Sequence, residues 1–299
     1  MTACSDFFDE PLLGTALEAT RWVCVEFSHG WGHDALDGFA LGEELASQIK
    51  AHMNAHNARF QFIREPGREG QDANGHRVFV AESTPGKEAL YTLTINSVSD
   101  LLDLDVSNPA TLPGATAVES PLALICTHGK RDVCCALKGR PVAALLSQHA
   151  SGPQDADAHE ETTSARVWET SHTGGHRFAP AVIVLPWGFT YGRAGAQAAR
   201  QIWDLAVDNQ VHLDLLRGRS AFSKPEQAAE VAVRSHFHLT GVADVVGVEA
   251  TSDTVFQVKC ADGNTHAVEV VQTVSDLPPR PATCGKGDKE VKAFNATLL

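Results

Sequence analysis

The sequence predicts an α/β chain in which one unit occurs twice in tandem, followed by a small α+β region. Three observations lead there. Short apolar runs alternate with helical periodicity twice over, in the order β-α-β-β-(β)-α, the alternation expected of an α/β fold. Two motif pairs recur: Phe27-Ser28-His29-Gly30 with Cys126-Thr127-His128-Gly129, and Asn74-Gly75-His76-Arg77 with Gly174-Gly175-His176-Arg177. His29 to His76 spans 47 residues and His128 to His176 spans 48, and matched motifs at matched spacing mark an internal repeat. From about residue 219 the pattern changes to one helix and three strand-like runs.

The first unit is assigned to residues 1–115. Residues 21–27 read as a buried strand, with Cys24 in its apolar core. A Gly30-Trp31-Gly32 turn leads to a helix reaching about residue 56, on which Leu41, Leu45, Ile49 and Met53 share one face. Arg59–Arg64 is a strand, Glu65–Gly75 a polar loop, Val78–Ala81 and Ala89–Ile95 two further strands, and Val98–Leu104 a short helix. The second unit is assigned to 116–218. Pro121–Ile125 is a strand entering Cys126, residues 135–149 a helix, 165–170 a strand, Ala181–Leu185 and Phe189–Tyr191 two more, and 194–208 a helix with Ala198, Ile202 and Leu205 inward. The acidic stretch Asp155–Glu161 reads as a solvated loop. This repeated order is that of a thioredoxin-like domain, so two tandem thioredoxin-like units are expected, the first degenerate. In residues 219–299, Ser223-Lys224-Pro225-Glu226 starts a helix running to about His238. Strands Asp244–Ala250, Thr254–Cys260 and Thr265–Thr273 form a three-stranded meander, with a hairpin turn at Ala261–Asn264 and an extended tail from Pro278.

The bulk composition narrows the function. A formal charge of −13 disfavours nucleic acid or an anionic membrane surface as the main partner. No run approaches the roughly 18 apolar residues that signal a membrane helix. The N-terminus is acidic and lacks the basic start of a secretory signal, so a cytoplasmic location is expected. Seven cysteines, an odd number scattered through a large chain, do not suggest a disulfide framework. Cys126, Cys134 and Cys135 fall within ten residues and point instead to metal or redox chemistry.

The stretch Cys126-Thr-His-Gly-Lys-Arg-Asp-Val-Cys-Cys135 leaves a strand and enters a helix, and Ser171-His172-Thr-Gly-Gly-His176 follows downstream. Gly174 and Gly175 suit a tight turn between two imidazole donors. Two thiolates and two imidazoles suit zinc or an iron–sulfur centre. Structural zinc usually draws its cysteines from short Cys-x2-4-Cys knuckles, so the long separation from Cys126 favours a wider cluster. Spacing alone does not decide whether Cys134 or Cys135 joins Cys126. His29 and His128 are expected to hydrogen-bond within their own loops. His236 and His238, at strand-like spacing, are read as structural, as is Cys260, while Cys284 is read as a packing residue or, alternatively, as one that approaches the metal group from the tail. Segment 126–200 has eight basic side chains (Lys130, Arg131, Lys138, Arg140, Arg166, Arg177, Arg193, Arg200) against six acids, which serves either to dock an acidic partner or to form internal ion pairs. A zinc-stabilised structural or interaction protein is one alternative, and a thiol redox protein using Cys134 and Cys135 is another, although no Cys-x-x-Cys at a helix start supports the latter.

At these residues the chain resembles the sucrase/ferredoxin-like family, the thioredoxin-like ferredoxins with a bis-histidine cluster. The matching pieces are Trp22…Glu26…Gly30-Trp-Gly32…Asp34-Ala-Leu36, Cys126-x-His128…Arg131-Asp132…Cys135-Ala136, Trp168-Glu169…Ser171-His172-Thr-Gly-Gly-His176-Arg-Phe-Ala179, Tyr191-Gly-Arg193 and Arg280-Pro-Ala-Thr-Cys284-Gly. The resemblance implies a [2Fe–2S] cluster held by Cys126, Cys135, His172 and His176, with Cys134, Arg177 and Arg193 around it. Many relatives carry Arg where this chain has Cys134. Phe27, Leu36 and Asp72 stand where the first unit would need donors, and only His76 is kept, so that unit is expected to carry no cluster. Imidazole ligation lifts such centres to about −150 to +300 mV, against about −400 mV for plant-type ferredoxins. The implied role is an electron carrier or redox sensor rather than a catalyst with its own substrate. It would have an electron donor, a flavin reductase being one candidate, and an acceptor. The sucrase half of the family name has no support here, because no paired carboxylates stand ready to flank a glycosidic bond.

Overall fold

The computed structural model describes residues 3–71, 75–151 and 166–299. Asp72, Asn74 and the acidic stretch Asp155–Glu161 lie outside the described residues. In the first half, β1 (Arg21–Glu26) is followed by α1 (Glu43–Ala55), β2 (Ala58–Arg64), β3 (His76–Glu82), β4 (Ala89–Ile95) and a two-residue edge strand β5 (Thr116–Ala117). In the second, β6 (Leu122–Cys126) leads to α2 (Val133–Ala150), β7 (Val167–Thr170), β8 (Val182–Leu185), β9 (Phe189–Tyr191), α3 (Ala196–Val207) and an edge strand β10 (Leu216–Arg219).

Both halves build one mixed sheet, in the order β10-β9-β8-β6-β7-β2-β1-β3-β4-β5. Within each half the first strand pairs parallel with the strand after the helix, and antiparallel with the next. The halves therefore repeat one topology and face each other across an approximate twofold axis. Their seam is the antiparallel pair β2–β7, which sets Ile63 opposite Thr170 and Arg64 opposite Glu169. Central strands buried on both faces read as continuous apolar runs, which is why Trp22–Val25 and Leu122–Ile125 are legible as strands. One apolar cluster gathers Val23, Val25, Ile49, Met53 and Phe62 under the first half, and another gathers Ile125, Val142, Leu146, Val184 and Ile202 under the second. The alternate side chains (Trp22, Cys24, Phe79, Leu124, Trp168, Ile183) form one cluster crossing the seam.

The third region packs α4 (Lys224–Phe237) on a second sheet. The helix begins with a capping box of Ser223 and Glu226, with Pro225 in its first turn. The sheet has four strands where three are expected: β11 (Val245–Ala250), β12 (Val255–Cys260) and β13 (Thr265–Val274) are joined after a further hairpin by β16 (Lys292–Leu298), which pairs in register with the last seven residues of β13. That hairpin, β14 (Arg280–Pro281) with β15 (Asp288–Lys289), carries the loop containing Thr283 and Cys284.

Other differences have local causes. α1 starts at Glu43, not directly after the Gly-Trp-Gly turn, because the Asp37 carboxylate accepts the backbone N–H groups of His33, Asp34 and Phe39 and holds a turn there. Leu41 consequently precedes the helix. α2 starts at Val133, capped by the Asp132 side chain on the Cys134 N–H at 3.0 Å. Residues 98–103 are a 3-10 turn. His236 closes α4 and His238 is its left-handed C-cap, so the pair is not on a strand. β10 is hidden in the sequence because two of its four residues are arginine, both buried.

Candidate metal centre

The end of β6 and the start of α2 place two thiols side by side. Cys126 is the last residue of β6, its N–H bonded to the Ala181 carbonyl at 3.1 Å. Gly139 lets α2 close over it, since a Cβ there would strike the Cys126 carbonyl oxygen. Cys135, in the first turn of α2, faces Cys126. Donor atoms of Cys126, Cys135 and His172 all lie within 4.8 Å of one another. The two thiols share a proton unequally. A hydrogen bond from Cys135, with His172 nearby, holds Cys126 well below the usual thiol range against the cost of burial. The same hydrogen bond, with burial, pushes Cys135 up. The thiolate is the form that ligates a metal.

His176 stands beside this group, its ring centroid 5.1 Å from that of His172. Its Nε2 lies 2.9 Å from Thr283 Oγ1 and 3.6 Å from Asp132 Oδ2. Burial lowers its pKa, with Asp132 acting in the opposite sense. The Nδ1 atoms of His172 and His176 are both buried and have no hydrogen-bond partner. Unpaired buried nitrogen is costly, and these two atoms beside two thiols are donors that could hold a metal ion.

Supports for this group come from across the seam. The His128 ring does not bond within its own loop. Its Nε2–H donates to the Gly32 carbonyl at 2.6 Å, and its Nδ1 accepts the His172 backbone N–H at 3.1 Å. That pattern requires the neutral ring, and burial lowers its pKa accordingly. Gln61 Nε2 donates to the His172 carbonyl at 3.4 Å. Glu169, buried, takes Arg64 Nε at 2.8 Å and the Thr127 hydroxyl at 3.0 Å. Below the histidine turn, Arg217 of β10 donates to the Gly174 carbonyl at 3.2 Å and to Thr15. A Cβ on Gly175, whose φ is +69°, would land on that guanidinium. Arg217 is fully buried, and burial pushes its pKa down to about 9, with the neighbouring Cys126 and Cys135 opposing. Nothing in the motif spacing points to Arg217; a pair of arginines in an otherwise apolar context is its only trace.

The remaining expected residues fall elsewhere. Arg177 pairs with Glu10, and Arg193 donates to the Phe7 and Glu10 carbonyls, so both tie down the N-terminal segment. Cys134 and Cys135, adjacent on α2, point into different groups, which gives the reading of them as a vicinal redox pair no support. Cys134 joins Cys4, Cys284 and Asp132 in a second donor group. Cys24 and Cys260 are buried on strands, as expected. In the first half, Phe27 and Leu36 pack on its apolar cluster, and His76 Nδ1 sits 2.8 Å from the Glu26 carbonyl. The basic side chains of 126–200 are largely satisfied within the chain: Arg131 by Asp34, Lys138 by Asp6, Arg140 by Glu69, and Lys130 over the Phe39 ring. A cleft of about 400 Å³ between α1, β2 and the turn at Asp34 reaches His172 and Ser171.

The class these features define is an α/β protein whose cysteine and histidine groups can hold a metal ion. The chain belongs to the sucrase/ferredoxin-like family, whose model matches residues 12–218 and so includes Cys126, Cys135, His172 and His176. No curated protein and no solved structure matches it. Cys4, Thr283 and Cys284 lie outside the matched span. No helix among the described residues is long and apolar enough to cross a membrane.

Proposed function

We propose that Cys126, Cys135, His172 and His176 hold a [2Fe–2S] cluster and that the protein carries single electrons. The observation that carries this is the pair of buried, unpartnered Nδ1 atoms of His172 and His176 beside the hydrogen-bonded thiols of Cys126 and Cys135. Three donors gather closely while His176 stands outside their group. That spread suits two metal atoms better than the single point of a mononuclear zinc site. When bound, the cluster supplies a one-electron couple, with a potential raised by exchanging two thiolates for imidazoles.

The chain's own groups then divide the work. Residues 116–218 supply the donors. Residues 1–115 act as a cluster-free copy whose Gly32 and Gln61 aim the His172 segment through His128 and directly. Residues 219–299 contribute Thr283, which faces the outer nitrogen of His176. Arg217 places a buried positive charge under the histidine turn and favours extra negative charge there. The cleft beside His172 would be the approach for an electron donor, such as a flavin reductase, or for an acceptor.

Anaerobic purification followed by iron and sulfide analysis and EPR after dithionite tests the assignment. A red-brown protein with about two irons and two sulfides, and a rhombic reduced signal, is expected. Cys126→Ser should abolish it. A colourless protein that takes up no iron on reconstitution would end this reading.

A further inference from the structure

Beside the site above lies a second group of donors that the proposed cluster does not use. Cys4 comes from the N-terminal turn, Asp132 and Cys134 from the start of α2, and Cys284 from the loop between β14 and β15. Their sulfur and carboxylate oxygen atoms all lie within 4.8 Å of one another. The sulfurs are 3.6 Å apart for Cys4 and Cys134, 3.0 Å for Cys134 and Cys284, and 3.4 Å for Cys4 and Cys284. The Asp132 oxygens stand 3.6 and 3.7 Å from the Cys4 sulfur. Cys4, Asp132 and Cys134 are buried, and Cys284 is partly so.

We propose that Cys4, Cys134, Cys284 and Asp132 form a second metal site, a closed tetrahedral zinc site that clasps the two ends of the chain onto α2. Zinc takes sulfur at about 2.3 Å and carboxylate oxygen at about 2.0–2.2 Å, so donors around it stand about 3.5–3.8 Å apart. The observed separations reach that range with small outward shifts of the Cys284 and Cys134 sulfurs. A disulfide would bind two sulfurs at about 2.05 Å and leave a third thiol and a carboxylate without a role. Zinc employs all four. Three thiolates and one carboxylate leave the site with excess negative charge, and the surroundings meet it. The Cys4 N–H donates to the Cys284 sulfur at 3.4 Å, the Cys284 and Cys134 N–H groups donate to Asp132 at 2.9 and 3.0 Å, and the positive end of α2 points at the site. The site shares no ligand with the proposed cluster, and the two groups meet where Asp132 stands 3.6 Å from His176 Nε2.

The test is metal analysis of the full-length protein, purified anaerobically, alongside Cys4→Ser, Cys284→Ser and Cys126→Ser variants. The expected result is about one zinc per chain in the parent protein, falling to background in Cys4→Ser and Cys284→Ser while their iron content stays at the parent level. Zinc should persist in Cys126→Ser, and that arm separates this site from zinc occupying the first group even if no iron is found. Cys4 is buried against Cys134 and Ala179, and serine replaces only its sulfur by oxygen, so an unchanged far-UV circular dichroism spectrum shows that the variant reports on binding rather than on folding. Absence of zinc from the parent both as isolated and after incubation with zinc under reducing conditions overturns the proposal. So does zinc that survives in both Cys4→Ser and Cys284→Ser, or a Cys134–Cys284 disulfide found by mass spectrometry of the anaerobic protein.

Discussion

At the scale of single residues, the site is shaped by what cannot be replaced. Gly175 is one case. An alanine there meets both a left-handed backbone and the fixed Arg217 guanidinium, a strain of about 1–3 kcal/mol. Gly175→Ala should keep its far-UV circular dichroism, melt several degrees lower and lose iron, and an unchanged iron content would show that the turn tolerates the shift. Arg217 itself sets charge. Its pKa near 9 keeps it cationic at neutral pH. Arg217→Met should lower the midpoint potential by on the order of 50 mV, close to a tenfold change in a one-electron equilibrium; a potentiometric titration reads this directly. The proposed imidazole ligation would give a second dependence. Reduction favours retention of their N–H protons, so the potential should fall as pH rises through a histidine ionisation, and a flat line between about pH 6 and pH 10 would count against histidine ligation. His128 acts on stability instead. Its folded pKa lies below the ordinary histidine value of about 6.5, so the unfolded chain binds the proton more tightly. Stability from this group is present above about pH 6.5 and is lost as pH falls through the folded value. Urea midpoints measured across that range should decline toward acid, less so in His128→Gln.

At the scale of elements, the seam between β2 and β7 holds the two halves in register. Its key contact is Arg64 with Glu169, both buried, extended by Glu69 on the outside at 2.9 Å. Removing one partner of a buried pair strands the other, at a cost of about 3–5 kcal/mol. Arg64→Ala should therefore lose stability of that order in chemical denaturation. It should also loosen Thr127 beside Cys126, because Glu169 accepts from both Arg64 and Thr127. A loss below about 1 kcal/mol would mean that the pair is screened like a surface ion pair. The seam also shows what the first half contributes to the second. Gln61 reaches His172, and Gly32 reaches His128, because β2 pairs with β7 and carries β1 alongside it.

At the scale of the whole molecule, both chain ends return to the site. The N-terminal segment is tied down by Arg177 and Arg193, and Asp9 pairs with Arg280 of the C-terminal hairpin. The final strand β16 covers the edge of β13, and an uncovered edge invites pairing with other chains. Truncation after residue 274 should thus give an aggregating protein by light scattering. Thr283→Val is the milder probe. It should leave the fold intact and shift the pH dependence of the potential, since it removes the oxygen facing His176 Nε2.

How much of this is legible in the sequence depends on the range of the interactions concerned. Apolar runs, helical faces, the Ser223 capping box and the repeated His-Gly motifs report local physics, and they suffice for the α/β class, the doubled strand-helix order and the candidate donors Cys126, His172 and His176. The choice between Cys134 and Cys135 is not local: one residue along a helix turns a side chain by about 100°, and only the packing of α2 on β6 shows which sulfur faces Cys126. β10 and β16 escape pattern reading because each is specified by the strand it pairs with rather than by its own composition. The same holds for Arg217, for His128 bridging to Gly32, and for the meeting of Cys4 with Cys134 and Cys284. Residues so far apart in the chain leave no spacing to read, and their proximity follows from tertiary packing alone.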